Sequence, residues 1–181
     1  MASNSEIILS GTGGQGLILA GQILADAVIK DGKNAVQTQS YGPEARGGAS
    51  KAEVIISDGE IDYPKVTKPN ILLVMSQEAL TKYAGSISDN GTLIIDNTNI
   101  ADQLPNGANI FAVPYTRIAK ENLGKEMFAN VVALGALAAI TGIVSKESLQ
   151  LALMSRIPRG TEALNKKALE LGWESAHQVA A

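Results

Sequence analysis

Two stretches of the chain combine residue types and spacings that suit ligand chemistry. The first is Ile7-Ile8-Leu9-Ser10-Gly11-Thr12-Gly13-Gly14-Gln15-Gly16, an apolar segment that runs into four glycines. Gly11, Gly13 and Gly16 fit the G-x-G-x-x-G spacing, and they stand between a strand pattern and a helix pattern as that motif requires. Glycine permits a tight turn and close backbone approach, and free N–H groups at the start of a helix attract phosphate. The second stretch, Tyr41-Gly42-Pro43-Glu44-Ala45-Arg46-Gly47-Gly48, is bracketed by glycines and carries a carboxylate and a guanidinium. Glu44 and Arg46 can pair with each other or reach a ligand or partner. Both stretches are expected at the same edge of the fold.

A dinucleotide site of the NAD type needs an acidic residue at the end of the second strand to hold the ribose hydroxyls. Here that segment ends Gln37-Thr38-Gln39-Ser40, with neither a carboxylate nor an arginine for a 2′-phosphate. The remaining strand ends offer Ser76-Gln77, Asp96-Asn97-Thr98 and Tyr115-Thr116-Arg117, which should project into the crevice of an open α/β sheet. They are polar but contain no base with a tuning neighbour and no nucleophile with an activator, so no catalytic residue is assigned. The sequence has no cysteine, which excludes disulfides and cysteine-held iron–sulfur or zinc sites within it. His177 is the single histidine and lies near the C-terminus, so no metal site is assigned.

These residues need a framework. Ile7–Leu9, Ile71–Met75, Thr92–Asp96 and Asn109–Val113 are apolar runs of the kind buried in a parallel sheet, and Asn34–Gln39 is a weaker strand. Ser50–Ser57 alternates, and Asp58-Gly59 suggests a hairpin returning through Ile61 and Tyr63. Gln15–Lys30 has helical periodicity, with Asp26 and Lys30 spaced as an i, i+4 pair, and a shorter helix is expected over Gln77–Tyr83. The expectation is a single α/β domain over residues 1–181, a mostly parallel Rossmann-like sheet flanked by helices with a helical C-terminal part. Lys125–Ile140 is apolar nearly all round, so both its sides need cover. Either the C-terminal helices at Lys146–Met154 and Thr161–Leu171 supply it, or a partner subunit does; in the isolated chain it can drive a homodimer.

With a net charge of −3 and 4% aromatic residues, the chain lacks both the electrostatic footprint and the stacking platforms of a nucleic-acid binder. The longest apolar run, Val131–Ile140, is too short for the roughly 20 residues of a membrane span, and Met1–Glu6 does not resemble a signal peptide. A cytoplasmic location is expected.

The two loops together resemble the gamma subunit of 2-oxoacid:ferredoxin oxidoreductases. The resemblance rests on Gly11-Thr12-Gly13-Gly14-Gln15-Gly16, on Ala20-Gly21 and Leu24-Ala25, and above all on Ser40 to Ser50. It continues through Val54-Ile55-Ile56-Ser57 and into Asn130–Gly135. It implies a subunit of an assembly that oxidatively decarboxylates a 2-oxoacid to an acyl-CoA and passes two electrons to ferredoxin. Thiamine diphosphate and the iron–sulfur clusters would then reside in alpha, beta and ferredoxin-like (delta) partner subunits. This chain would help to form the coenzyme A site, with Gly11, Thr12, Gly13, Gly14, Gln15 and Gly16 and with Tyr41, Glu44, Arg46 and Gly47 as its contact residues. Two other readings stay open: a free-standing Rossmann oxidoreductase that binds NAD(P), and a purely structural assembly subunit. The 2-oxoacid itself is not specified.

Overall fold

A computed structural model describes residues 4–40, 48–101 and 104–179. Ile7-Ile8-Leu9 lies within β1 (Asn4–Thr12), and alternation along the strand sends Ile7 and Leu9 to one face of the sheet and Ile8 to the other. The following helix, α1 (Leu17–Lys30), leads to β2 (Asn34–Ser40). Next come β3 (Ala49–Ser57), β4 (Ile71–Val74), α2 (Gln77–Tyr83), β5 (Thr92–Asp96) and β6 (Asn109–Val113). Four helices end the chain: α3 (Tyr115–Leu123), α4 (Ala129–Thr141), α5 (Lys146–Arg156) and α6 (Glu162–Val179).

The six strands form one sheet in the order β2-β3-β1-β4-β5-β6. β1, β4, β5 and β6 pair in parallel, and β3 runs against both its neighbours. The fold is thus the expected mostly parallel α/β sheet, with one antiparallel insertion. Helices α1 and α3 to α6 cover the face that holds Ile7, Leu9, Val54, Leu73 and Ile94. The other face, with Ile8, Leu72, Val74, Leu93 and Ile95, packs against α2.

Three local expectations are corrected. Ile61 and Tyr63 form no returning strand, because both edges of β3 are already occupied by β1 and β2. The chain instead crosses back beneath β1, where the Glu6 carboxylate accepts the N–H groups of Thr67 (2.6 Å) and Lys68 (2.9 Å). Asp26 pairs with Arg156 of α5 rather than with Lys30, a contact that joins two helices. That contact raises the Arg156 pKa through its hydrogen bond to Asp26. Finally, the helix read as starting at Lys125 starts at Ala129, after a single 3₁₀ turn over Glu126–Phe128.

The cover of α4 comes from the chain itself. Every residue of α4 from Ala129 to Ala138 is buried. α6 crosses it at two glycines: a Cβ on Gly172 would stand 1.9 Å from the Val132 carbonyl oxygen, and one on Gly135 would stand 2.3 Å from that of Leu169. The small residues do serve close helix contact, within the chain.

Candidate cleft at the switch point of the sheet

The chain leaves β1 through α1 toward β2 on one side, and leaves β4 through α2 toward β5 on the other. β1 and β4 are parallel neighbours, so their C-terminal ends flank the topological switch point, where open α/β sheets bind ligands. The glycine stretch occupies this point.

Its geometry follows from its residues. Gly14 and Gly16 take left-handed conformations (φ 89° and 74°), which delays the start of α1 from the expected Gln15 to Leu17. Gly11 has no room for a side chain, since a Cβ there would meet Gln15 Oε1 at 2.1 Å and Leu17 Cδ1 at 2.8 Å. The Gln15 carboxamide fills that space and ties the turn. Its oxygen accepts the Thr12 N–H (2.8 Å), and its nitrogen donates to the Met75 carbonyl at the end of β4 (3.3 Å). On the inner side, Asn130 at the start of α4 donates to the Gly16 carbonyl (3.1 Å). No side-chain hydrogen bond caps α1, so the positive end of its dipole is left at this turn.

A cleft of 460 Å³ opens in front of this turn, within the range of about 300–1,000 Å³ typical of ligand pockets. Thr12, Gly14 and Gln15 line it from the loop, Met75, Ser76 and Gln77 from the end of β4, and Asn99, Thr116 and Met127 from the elements beside them. Glu126 on the rim is paired with Lys120 at 3.0 Å. None of the described lining residues is Lys or Arg. Among the described residues, positive potential at the cleft comes from the backbone of the loop and of α1.

Of the residues expected here, Thr12, Gly14 and Gln15 line the cleft, and Gly11, Gly13 and Gly16 shape the turn that bounds it. Tyr41, Glu44, Arg46 and Gly47 lie outside the described residues. Their flanks, Ser40 and Ala49, end β2 and begin β3, and Ala49 is paired with Thr12. The described flanks of the second stretch therefore lie at the sheet edge that carries the glycine turn. Ser76, Gln77 and Thr116 also reach the cleft, whereas Asp96 and Tyr115 are buried beneath it. Burial and the nearby Asp96 hold the Tyr115 phenol neutral, with its pKa pushed well above the ordinary tyrosine range. Asn99, Met127 and Asn130 were not anticipated. The available signal for Asn130 was an amide standing in an otherwise apolar helix.

This fold and this site define a known class. The family model described as "Pyruvate ferredoxin/flavodoxin oxidoreductase" matches residues 6–175, and the chain belongs to that family. It is 50% identical to the 2-oxoglutarate synthase subunit KorC of Methanocaldococcus jannaschii, over 96% of this chain and 95% of that one. Its structure superposes on the keto/oxoacid ferredoxin oxidoreductase gamma subunit of Geobacter sulfurreducens with a TM-score of 0.90 and 48% identity, covering 98% of each chain. The fold also matches the 2-oxoglutarate:ferredoxin oxidoreductase of Magnetococcus marinus, with a TM-score of 0.87 at 23% identity, covering 97% of this chain and 31% of that one. That protein was solved with 2-oxoglutarate, coenzyme A and succinyl-CoA bound. The chain is accordingly a gamma subunit of a multi-subunit 2-oxoacid:ferredoxin oxidoreductase. Among the described residues no helix is long and apolar enough to cross a membrane.

Proposed function

We propose that this subunit supplies the phosphate-binding part of the coenzyme A site of its complex. One observation carries the reading: the uncapped N-terminus of α1, opened by left-handed Gly14 and Gly16, faces a ligand-sized cleft at the switch point. A pyrophosphate or 3′-phosphate in front of Gly13 and Gly14 meets backbone N–H groups and the positive helix end. Tyr41, Glu44, Arg46 and Gly47 belong to the connection that starts beside this turn, and the Arg46 guanidinium gives the anion its charge-assisted contact. Thiamine diphosphate is held by alpha and beta subunits, and the clusters by beta-type or ferredoxin-like delta chains. A sequence without cysteine fits that division. Ferredoxin is the electron acceptor. Identity of 50% to a 2-oxoglutarate synthase subunit favours 2-oxoglutarate as the oxoacid.

Calorimetric titration of coenzyme A into the assembled complex tests this reading. Arg46→Ala should weaken binding by about tenfold or more, the size of a lost charge-assisted contact. An unchanged affinity removes Arg46 from the site, and a wild-type complex that takes up no coenzyme A rejects the reading. Comparing turnover of 2-oxoglutarate with that of pyruvate and branched oxoacids tests the substrate.

A further inference from the structure

Below the cleft, Asp96 ends β5 with its side chain fully buried, and four donors converge on it. They are the N–H of Thr98 (3.0 Å), the amide nitrogen of Asn99 (3.1 Å), and the N–H (3.2 Å) and hydroxyl (2.5 Å) of Thr116. Backbone and amide N–H groups only donate, and the Thr116 hydroxyl donates to the same carboxyl oxygen, which sets the direction of each bond. Thr116 turns its hydroxyl proton to Asp96 and leaves its oxygen to accept from Asn99 Nδ2 at 3.1 Å. One hydrogen of the Asn99 amide is then shared between Asp96 and Thr116, whose acceptor oxygens are only 2.5 Å apart, and the other is left on the side of the Met75 carbonyl (3.5 Å). The orientation of an asparagine amide is often ambiguous, but here the nitrogen must face the carboxylate. The Asn99 carbonyl oxygen is therefore held on the opposite side. It has no partner among the described residues, and Asn99 is exposed on the cleft wall.

We propose that this oxygen is a specificity-determining acceptor that takes an N–H or O–H from the adenosine half of the ligand. Asp96 and Thr116 are positioning residues that act through it. The proposal rests on the coenzyme A reading above. Its location argues for the adenosine half: the Met75 carbonyl is approached both by Asn99 (3.5 Å) and by Gln15 of the glycine turn (3.3 Å), so the acceptor stands one carbonyl away from the phosphate-binding backbone. The adenosine half offers two donors, the ribose 2′-hydroxyl beside the 3′-phosphate and the 6-amino group of adenine. A pinned acceptor discriminates because it cannot rotate to accommodate a second acceptor, and an analogue that presents one leaves both oxygens unpaired.

The test is titration into the assembled complex of coenzyme A, of its 2′-deoxy analogue and of the analogue in which a carbonyl replaces the 6-amino group. Asn99→Ala should bind coenzyme A about tenfold more weakly than wild type. One analogue should lose a similar factor on the wild-type complex and lose nothing further on Asn99→Ala, which identifies the donor as hydroxyl or amine. The analogue comparison on the wild-type complex needs no variant to fold. Wild type that binds coenzyme A yet treats all three ligands alike overturns the proposal, as does an Asn99→Ala complex with undiminished affinity. A wild-type complex that binds none of them overturns the coenzyme A reading itself.

Discussion

Substituting Gly16 probes how the glycine turn is held, because two separable effects meet there. Gly14 and Gly16 both have positive φ, but a Cβ on Gly14 would meet nothing within 4 Å. Gly14→Ala therefore carries the left-handed penalty alone, about 1 kcal/mol. A Cβ on Gly16 would stand 2.5 Å from Asn130 Nδ2, well inside contact distance. A mobile side-chain end would move aside at little cost, but Asn130 is buried, donates to the Gly16 carbonyl (3.1 Å) and accepts from the Val131 N–H (2.9 Å). Displacing it breaks a buried hydrogen bond and orphans an amide donor, which adds about 1–2 kcal/mol. Gly16→Ala should thus cost about 2–3 kcal/mol in all.

Urea unfolding of the isolated chain measures these losses as shifts in midpoint at constant slope. The steric part can be isolated with a cycle. Asn130→Ala alone loses the same hydrogen bond and leaves a small void, about 1–2 kcal/mol. The double variant has no amide to clash with, so it should be less destabilised than the sum of the two by about 1 kcal/mol or more. If Gly16→Ala costs no more than Gly14→Ala, or if the cycle is additive, Asn130 does not latch the turn and the argument fails.

The crossing of α4 and α6 makes a stronger demand, since the atoms facing Gly172 and Gly135 are backbone and cannot rotate away. Gly172→Ala should destabilise by about 2 kcal/mol even after the roughly 1 kcal/mol that alanine gains in helix propensity, as read by thermal or urea unfolding. At the other end of α1, Asp31 accepts from the Ser145 N–H (2.6 Å) and hydroxyl (2.7 Å), tying α1 to the start of α5. Burial works to raise its pKa, but the hydrogen bonds of Ser148 and Ser145 and the charge of Lys33 outweigh it, so the folded value lies below the unfolded one. Its contribution is therefore present above the unfolded pKa and lost as pH falls through the folded one. Asp31→Asn should cost less than about 1 kcal/mol near neutrality, a difference that closes as pH drops below about 4 in unfolding curves.

How much of this was legible follows from where each signal resides. β5, β6 and α2 have the limits expected for them and β4 ends one residue earlier, at Val74, because Pro69, Asn90-Gly91 and Asn106-Gly107 punctuate these segments locally. The glycine turn was legible for the same reason: the strand, the turn and the helix that define it are contiguous. Asp58-Gly59 misled because pairing also requires a free edge, and the occupancy of β3 is decided by β1 and β2. The Asp26 partner lies on α5, 130 residues away. The Asp96 cluster joins residues from β5, the turn after it and α3, with Thr116 twenty positions from Asp96, so no local window contains it. Asp96 alone read as one more polar strand end.

The same contacts tie the glycine turn to the core before any ligand arrives. Gln15 joins the glycine turn to β4, and Asn130 joins it to α4, whose far side is locked to α6 through Gly135 and Gly172. The backbone donors are thus set by the core, and binding need not order them. A preorganised donor set favours affinity because the ordering cost has been met in folding. It also divides the labour of the site. On the coenzyme A reading proposed above, the backbone and helix dipole fix where an anion sits, while the described lining contains no cation to strengthen the hold. On that reading the proposed Arg46 contact supplies the missing charge. On this arrangement Arg46→Ala should lower affinity without moving the turn, whereas Gly16→Ala should disturb both turn and stability.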